Sequence, residues 1–214
     1  MLAPTVSRSD VPSRPVPPAR AARLSWRLRE ETAAAHAAVE RVAGLPDGVT
    51  CRETYRAALA AFARAIVPLE RAIAQEPGLA AYGIDAAARA RAPALLTDLA
   101  RLGAQPPAAG AEVGLRGTGA VLGALYVIEG STLGGALVLR AIEERIGRDI
   151  ADARAFLGGR GAEAGALWGA FRAALDRFGE ERPDEQADAV AGATTAFDLF
   201  IAAFEAERAR SVPS

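Results

Sequence analysis

Several residue types are scarce in this chain of 214 residues, and each scarcity argues against a class of protein. The only cysteine is Cys51, so no disulfide can form within the chain, which fits a reducing cytoplasm. Aromatic residues make up 6% of the chain and runs of Val, Ile and Thr are few, which disfavours sheets. Lysine is absent and all 25 basic residues are arginine, which we interpret mainly as genomic base composition. The net charge of -1 gives no reason to expect a nucleic acid or an acidic membrane as partner.

Alanine dominates the composition and favours helices, so the sequence predicts an all-α fold. The length suffices for a single-domain helical bundle over residues 23–210. Residues 1–22 are rich in Pro, Ser and Arg without an apolar period and predict a disordered tail, and 211–214 is assigned as a short C-terminal tail. The N-terminus lacks the apolar core of a signal peptide, so we expect no export.

The apolar periodicity predicts six helices with Pro- and Gly-rich connections. Thr50 and Glu53 have the spacing of a capping box at the start of the second helix. The predicted helices cover residues 25–42, 50–75, 85–102, 115–146, 163–178 and 183–208.

The stretch 117–139 is almost wholly apolar and long enough to span a bilayer. Its only charge is Glu129, near the middle, where a charge costs at least about 2.5 kcal/mol in a membrane. The other segments read as ordinary amphipathic helices. We therefore interpret 117–139 as a buried core helix, with a membrane span as the alternative.

The only histidine, His36, lies in the first predicted helix. With Leu28 set at zero on a helical wheel, His36 falls at about +80°, at the edge of the apolar stripe. Glu40 follows one turn later and lies beside it. A carboxylate there can accept the Nδ1 proton of the imidazole, which leaves Nε2 free as a ligand.

Three interpretations of His36 stay open at this point. It can be a half-buried structural histidine, or a phosphotransfer histidine, although its neighbours are alanines and valine rather than cations. A metal site made of protein ligands alone is disfavoured because the chain has one His and one Cys. A single imidazole suits a cofactor that supplies its other ligands itself, as haem does with its four pyrrole nitrogens.

The long predicted helix carries a stripe of glycine. On a wheel with Gly119 at zero, Gly123, Gly130 and Gly134 fall within about 60° of it, and Gly135 and Ser131 flank the stripe. Glycine inside a helix costs about 1 kcal/mol relative to alanine, so something must approach the backbone closely. That neighbour can be another helix or, with His36 opposite, a flat macrocycle.

Two segments resemble the haem oxygenase family: LREETAAAHAAVE at 28–40 and LYVIEGSTLGG at 125–135. The likeness covers residues 24–207 in the order and spacing of helices and is strongest to the bacterial, biliverdin-forming branch associated with bacteriophytochromes. It implies an all-α fold that holds haem between a proximal and a distal helix.

By this resemblance, His36 matches the axial ligand of the haem iron and Glu40 the acid that orients it. Gly130, Gly134 and Gly135 match the distal glycines. Animal members have an aspartate at the position of Ser131, whereas bacterial relatives have a serine there, as this chain does. The acid–water relay of the animal enzymes therefore does not carry over.

The resemblance also implies oxidative opening of haem to biliverdin, CO and iron, with haem as both cofactor and substrate. Gly130 and Gly134 would steer O2 toward one edge of the ring, and Ser131 with ordered water would supply hydrogen bonds. A non-catalytic haem carrier of the same fold is the alternative.

Electrons would come from outside, because no G-x-G-x-x-G follows a predicted strand. A ferredoxin or reductase, or a small reductant, is the expected donor, and a bacteriophytochrome is a candidate acceptor of biliverdin. Arg29, two turns before His36, and Arg172 are candidates to pair with the haem propionates, and Tyr126 can add a hydroxyl. The stripe Phe197, Phe200, Ile201 and Phe204 is expected in the core, in part as a pocket wall.

Overall fold

In the computed structural model, which describes residues 23–106 and 112–211, every regular element is a helix. The predicted all-α, single-domain fold is thereby confirmed. The tail predicted at 1–22 lies outside the described residues, as does 212–214 of the C-terminal tail. The α-helices are α1 (Leu24–Glu31), α2 (Ala33–Ala43), α3 (Arg52–Ile73), α4 (Ala86–Arg89), α5 (Ala92–Arg101), α6 (Gly117–Ile146), α7 (Ala155–Gly158), α8 (Ala164–Glu181) and α9 (Gln186–Ser211), with 3-10 turns at Pro77–Tyr82, Gly161–Glu163 and Pro183–Glu185.

The helix predicted over 25–42 is interrupted at Thr32 and forms α1 and α2. The Thr32 hydroxyl donates to the carbonyl oxygen of Leu28 at 2.6 Å, a local bond that competes with regular helix geometry. Leu24 and Leu28 are buried on α1, whereas α2 has no fully buried residue. The helix that carries His36 therefore has a face that the protein itself does not cover.

The start of α3 corrects the predicted capping box. Cys51, not Thr50, is the N-cap, and the hydroxyl of Thr54 accepts a hydrogen bond from the Cys51 backbone N–H at 3.1 Å. The predicted pairing of Thr50 with Glu53 was wrong by one residue. The side-chain preference favours Thr50 as the cap, and only the backbone shows that the helix begins after Cys51.

The helix predicted over 85–102 is two helices, α4 and α5, with Arg91 between them. Pro93 lies in the first turn of α5, where its missing N–H is tolerated. The carboxylate of Glu70 on α3 accepts the backbone N–H groups of Arg91 and Ala92 at 2.6 and 3.0 Å. The cap of α5 thus comes from a different helix, which local sequence cannot reveal.

The centre of the fold is the packing of α6 against α9, with α3 alongside. Between 119 and 129 of α6 only Tyr126 is not fully buried, whereas no residue of 130–138 is buried. Gly117–Ile146 and Pro183–Arg210 are long and apolar enough to cross a membrane, but 44% of the most apolar window of each is buried inside the protein. The interpretation of 117–139 as a buried core helix therefore holds for 119–129 and is wrong for 130–138.

Candidate functional site

A cavity of about 230 Å³, here called the site cavity, lies between α2 and the stretch 126–133 of α6. Its walls are mainly apolar, and aromatic side chains from α3, α8 and α9 close its sides. A second cavity of about 420 Å³ near the end of α2 is larger but contains no histidine. The site cavity is lined by His36, Val39, Glu40, Phe62, Tyr126, Val127, Gly130, Ser131, Leu133, Trp168, Phe197 and Phe200.

His36 projects from α2 with 61% of its side chain exposed. Its ring meets the ring of Phe197 edge-on, with 5.9 Å between centroids. Nδ1 lies 3.6 Å from Oε1 of Glu40, within ion-pair range but longer than a hydrogen bond. The imidazole is therefore oriented by one aromatic contact and one nearby carboxylate, and it is accessible to a ligand.

The backbone of α6 is open at Gly130, which lines the site cavity with His36, and one turn further on at Gly134, which is not among the residues that line it. A Cβ placed on Gly134 would have no atom within 4 Å, and one on Gly130 would meet only the Trp168 ring at 3.8 Å. Both glycines leave room that nothing in the described protein fills.

The first half of the predicted glycine stripe serves a different purpose. A Cβ on Gly123 would collide with the carbonyl group of Ala189, and one on Gly119 would lie 2.8 Å from the carbonyl oxygen of Glu185. The expectation of one continuous ligand-facing stripe is corrected here. Gly119 and Gly123 allow the chain around and within α9 to approach α6, because a helix backbone comes this close only where side chains are missing.

Ser131 is exposed at the cavity, and its hydroxyl donates to the carbonyl oxygen of Ile128 at 2.7 Å. With its proton engaged, the hydroxyl offers lone pairs and can accept a hydrogen bond from a water. In this rotamer the Ser131 hydroxyl is placed to accept a hydrogen bond and not to donate one to a ligand.

Of the three residues predicted to bind the propionates, Tyr126 lines the site cavity, whereas Arg29 and Arg172 are not in its lining but lie close enough for their charges to act on the Tyr126 hydroxyl. Burial raises the pKa of the Tyr126 hydroxyl, and the charges of Arg29 and Arg172 oppose that rise. The phenol therefore keeps its proton at neutral pH and can donate. The Arg29 guanidinium lies over the ring of Trp26, 5.4 Å from its centroid. The pairing of Arg29 and Arg172 with haem propionates, which the sequence suggested, stays a prediction.

Two of the predicted site residues lie elsewhere. A Cβ on Gly135 would lie 2.9 Å from the carbonyl oxygen of Leu157, so this glycine accommodates α7 instead of lining the cavity. Phe204 lines the second cavity and packs edge-on against Phe62, with centroids 5.1 Å apart. Phe62, not Phe204, reaches the site cavity.

Sequence reasoning missed five wall residues: Val39, Phe62, Val127, Leu133 and Trp168. Trp168 precedes Arg172 by one helical turn, so the choice of Arg172 could have indicated it. Leu133 is 41% exposed, and its place between Ser131 and Gly134 gave a further signal. Phe62 gives no signal because its helix is apolar on several faces.

The residues present suit a haem group. It needs one axial ligand from the protein, a flat apolar slot and cations for its propionates. His36 and the open backbone at Gly130 match the first two requirements, and Arg29 and Arg172, near Tyr126, are candidates for the third. Because His36 and Leu133 at the rim are exposed, a bound ring could extend beyond the enclosed volume.

The comparisons with known proteins agree with this fit. The structure is similar to that of the NO- and CO-bound haem oxygenase from Neisseria meningitidis, with a TM-score of 0.74 and 22% identity over 90% of this chain and 95% of that one. At this identity the likeness establishes the fold alone. A search of functionally described proteins gave no significant match. The family model for haem oxygenase matches residues 22–206, and the chain therefore belongs to the haem oxygenase family, which binds haem.

Proposed function

We propose that this chain is a haem oxygenase that cleaves haem to biliverdin, CO and iron with O2 and external electrons. The observation that carries the proposal is the site cavity, which brings His36 and Glu40 of α2 together with the uncovered Gly130 and with Ser131 of α6. Haem, when bound, supplies the iron that activates O2 and is itself the molecule that is opened. The remaining chemistry consists of binding and orientation by the protein.

On the side of α2, Nε2 of His36 would hold the haem iron. Phe197 touches the edge of the imidazole and limits its rotation, and the carboxylate of Glu40 can accept a hydrogen bond from Nδ1–H after a small rotamer change. An imidazole fixed in this tautomer is the better ligand.

On the side of α6, Gly130 and Gly134 would let the helix backbone approach haem closely, which would restrict the space for a small ligand and steer O2 toward one edge of the ring. Ser131 accepts a hydrogen bond from a water at the same place and so fixes a proton donor near the reacting edge.

At the mouth, Arg29 and Arg172 bind the propionates, and the protonated Tyr126 hydroxyl adds a donor. These contacts fix the rotation of the ring in its plane, which decides the edge that is cleaved. Electrons come from a ferredoxin, a reductase or a small reductant. We further propose a cytoplasmic location and, in keeping with the bacteriophytochrome-associated branch, delivery of biliverdin to such a photoreceptor.

The test is a hemin titration followed by reductant in air, monitored by absorbance. We expect a Soret band that forms on binding and decays after reduction while the broad red absorption of biliverdin rises. A Soret band that persists with a competent electron donor would identify a haem carrier of the same fold instead. The absence of any specific band would refute both functions.

The same titration tests His36. His36→Ala is expected to fold normally, because the side chain is largely exposed, but to lose the wild-type Soret spectrum and turnover. Added imidazole should restore the spectrum by filling the vacated position. Unchanged spectra and turnover without imidazole would remove His36 from its role.

A further inference from the structure

One buried ion pair has no part in the mechanism above. Glu129, the only charge between 117 and 139, is 7% exposed and lies directly before Gly130. Its Oε1 lies 3.1 Å from Nη1 of Arg89, which reaches it from the short helix α4. The apolar stretch 117–139 of α6 thus carries one charge, which pairs with an arginine from another helix.

The geometry of the pair is poor for stability. Nη1 of Arg89 is buried and makes no hydrogen bond with any residue that the structure describes. Buried ion pairs recover their desolvation cost only when their geometry is excellent, and apolar replacements of similar volume are often as stable. The pair must therefore be explained by what it holds in place.

Arg89 contacts two walls of the site cavity at once. One end of the guanidinium meets Glu129 on α6, and its plane lies 5.7 Å from the ring centroid of Phe171 on α8. Phe171 stacks on Trp168 with centroids 5.9 Å apart and an interplanar angle of 27°. The Trp168 ring in turn lies 3.8 Å from the position of a Cβ on Gly130.

The connections form a closed path from α6 to α8 and back to α6. Glu129 begins the path and its neighbour Gly130 ends it, so any shift of Arg89 changes the gap between Trp168 and the glycine. Trp168 also packs against Tyr126, with centroids 5.5 Å apart, which extends the same wall to the mouth of the cavity.

We propose that Arg89 and Glu129 are positioning residues that set the width of the site cavity by holding Phe171, and through it Trp168, against the glycine face of α6. The inference rests on the proposed function in one respect, namely that the cavity thus shaped receives haem. The placement of Trp168 is a property of the ligand-free chain and can be measured without haem.

The test uses Trp168 as its own reporter. In a Trp26→Phe background Trp168 is the only tryptophan, and acrylamide quenching of its emission measures its accessibility. The main variant is the double substitution Arg89→Met with Glu129→Leu, which removes both charges together. The control is Glu143→Gln, which breaks the 2.8 Å ion pair between Glu143 and Arg154. Glu143 lies on α6 like Glu129, about 21 Å from it along the helix axis.

In the double variant we expect a thermal midpoint near that of the background protein but stronger quenching of Trp168. Hemin should bind about two- to tenfold more weakly, the amount that one aromatic contact supplies. The control should change neither quenching nor hemin affinity. If quenching and affinity both stay unchanged in a folded double variant, the pair contributes only to packing and the proposal is wrong.

Arg89→Lys covers the case in which the double variant does not fold. Lysine keeps the charge opposite Glu129 but lacks the planar group that lies on Phe171. Stronger quenching would support the proposal, and quenching equal to that of the background protein would overturn it. If the background protein binds no hemin, the proposed function fails, while the quenching result still decides the positioning role.

Discussion

The glycine stripe of α6 has two halves, Gly119 with Gly123 and Gly130 with Gly134, which serve opposite purposes. At Gly119 and Gly123 the space that a side chain would occupy is filled by the backbone of α9 and the turn before it. At Gly130 and Gly134, on the same face about two and three turns beyond Gly123, that space is essentially open. The first half is buried almost throughout, and the second half leaves Leu133 and Leu137 exposed, at 41% and 73%.

The difference teaches that a glycine stripe identifies a close approach but not the partner that makes it. In the first half the partner is another helix of the protein. On that helix, α9, Gly192 permits the same close approach, because a Cβ at this position would collide with the carbonyl group of Ala120. In the second half no described residue takes that place. A helix that retains costly glycines beside uncovered leucines has kept the surface for something that is not part of its own core.

The largest expected effect concerns the first half. Gly123→Ala should lower the free energy of unfolding by about 3 kcal/mol or more, because the new methyl group would overlap the Ala189 carbonyl and force α6 and α9 apart. Urea denaturation followed by circular dichroism measures the change. A loss below about 1 kcal/mol would mean that the two helices separate easily and that the contrast between the halves is weaker than the structure indicates.

The next effect concerns binding in the second half. Gly130→Leu should remain folded, since the leucine enters the open cavity, but it should weaken hemin binding at least about a hundredfold, or 2.8 kcal/mol, by filling the space next to the ring. A hemin titration together with the thermal midpoint separates the two effects. Wild-type affinity and turnover in this variant would refute the arrangement of haem between His36 and α6.

A smaller effect has the opposite sign for stability. Gly134→Ala should raise the free energy of unfolding of the ligand-free protein by about 0.5 to 1 kcal/mol, because alanine favours the helix and meets no atom. The matched control Gly169→Ala on α8 is equally open and should give a similar gain. Only Gly134→Ala should also slow haem turnover, and an equal turnover in both variants would show that Gly134 does not face the substrate.

The smallest effects are expected at the mouth. Arg29→Gln and Arg172→Gln should each weaken hemin binding about two- to fivefold, and the loss should shrink at high salt because exposed charges are screened. Arg56→Gln on α3, an exposed arginine outside the site cavity, serves as the control. Losses that do not depend on salt would indicate that the two arginines support packing and do not bind an anionic group.

Much of the fold follows from sequence because helices are local. Periodicity predicted the long helix at 115–146 to within two residues of α6 at its start. It could not predict the break at Arg91, since the cap of α5 is the carboxylate of Glu70 on α3. It also left Glu129 without its partner, because Arg89 is 40 residues away along the chain and meets it only after folding.

The sequence by itself determined the helical class, the family resemblance and a short set of candidate site residues. These are one histidine with an acid one turn later, and glycines on one face of an apolar helix. These are properties of spacing along a helix, which local geometry fixes. Only the tertiary structure decided that α9 covers Gly123 and leaves Gly134 open, that Gly135 and Phe204 lie outside the cavity, and that Trp168 forms its wall. Those outcomes depend on which helices pack against which, and packing is set by the whole chain together.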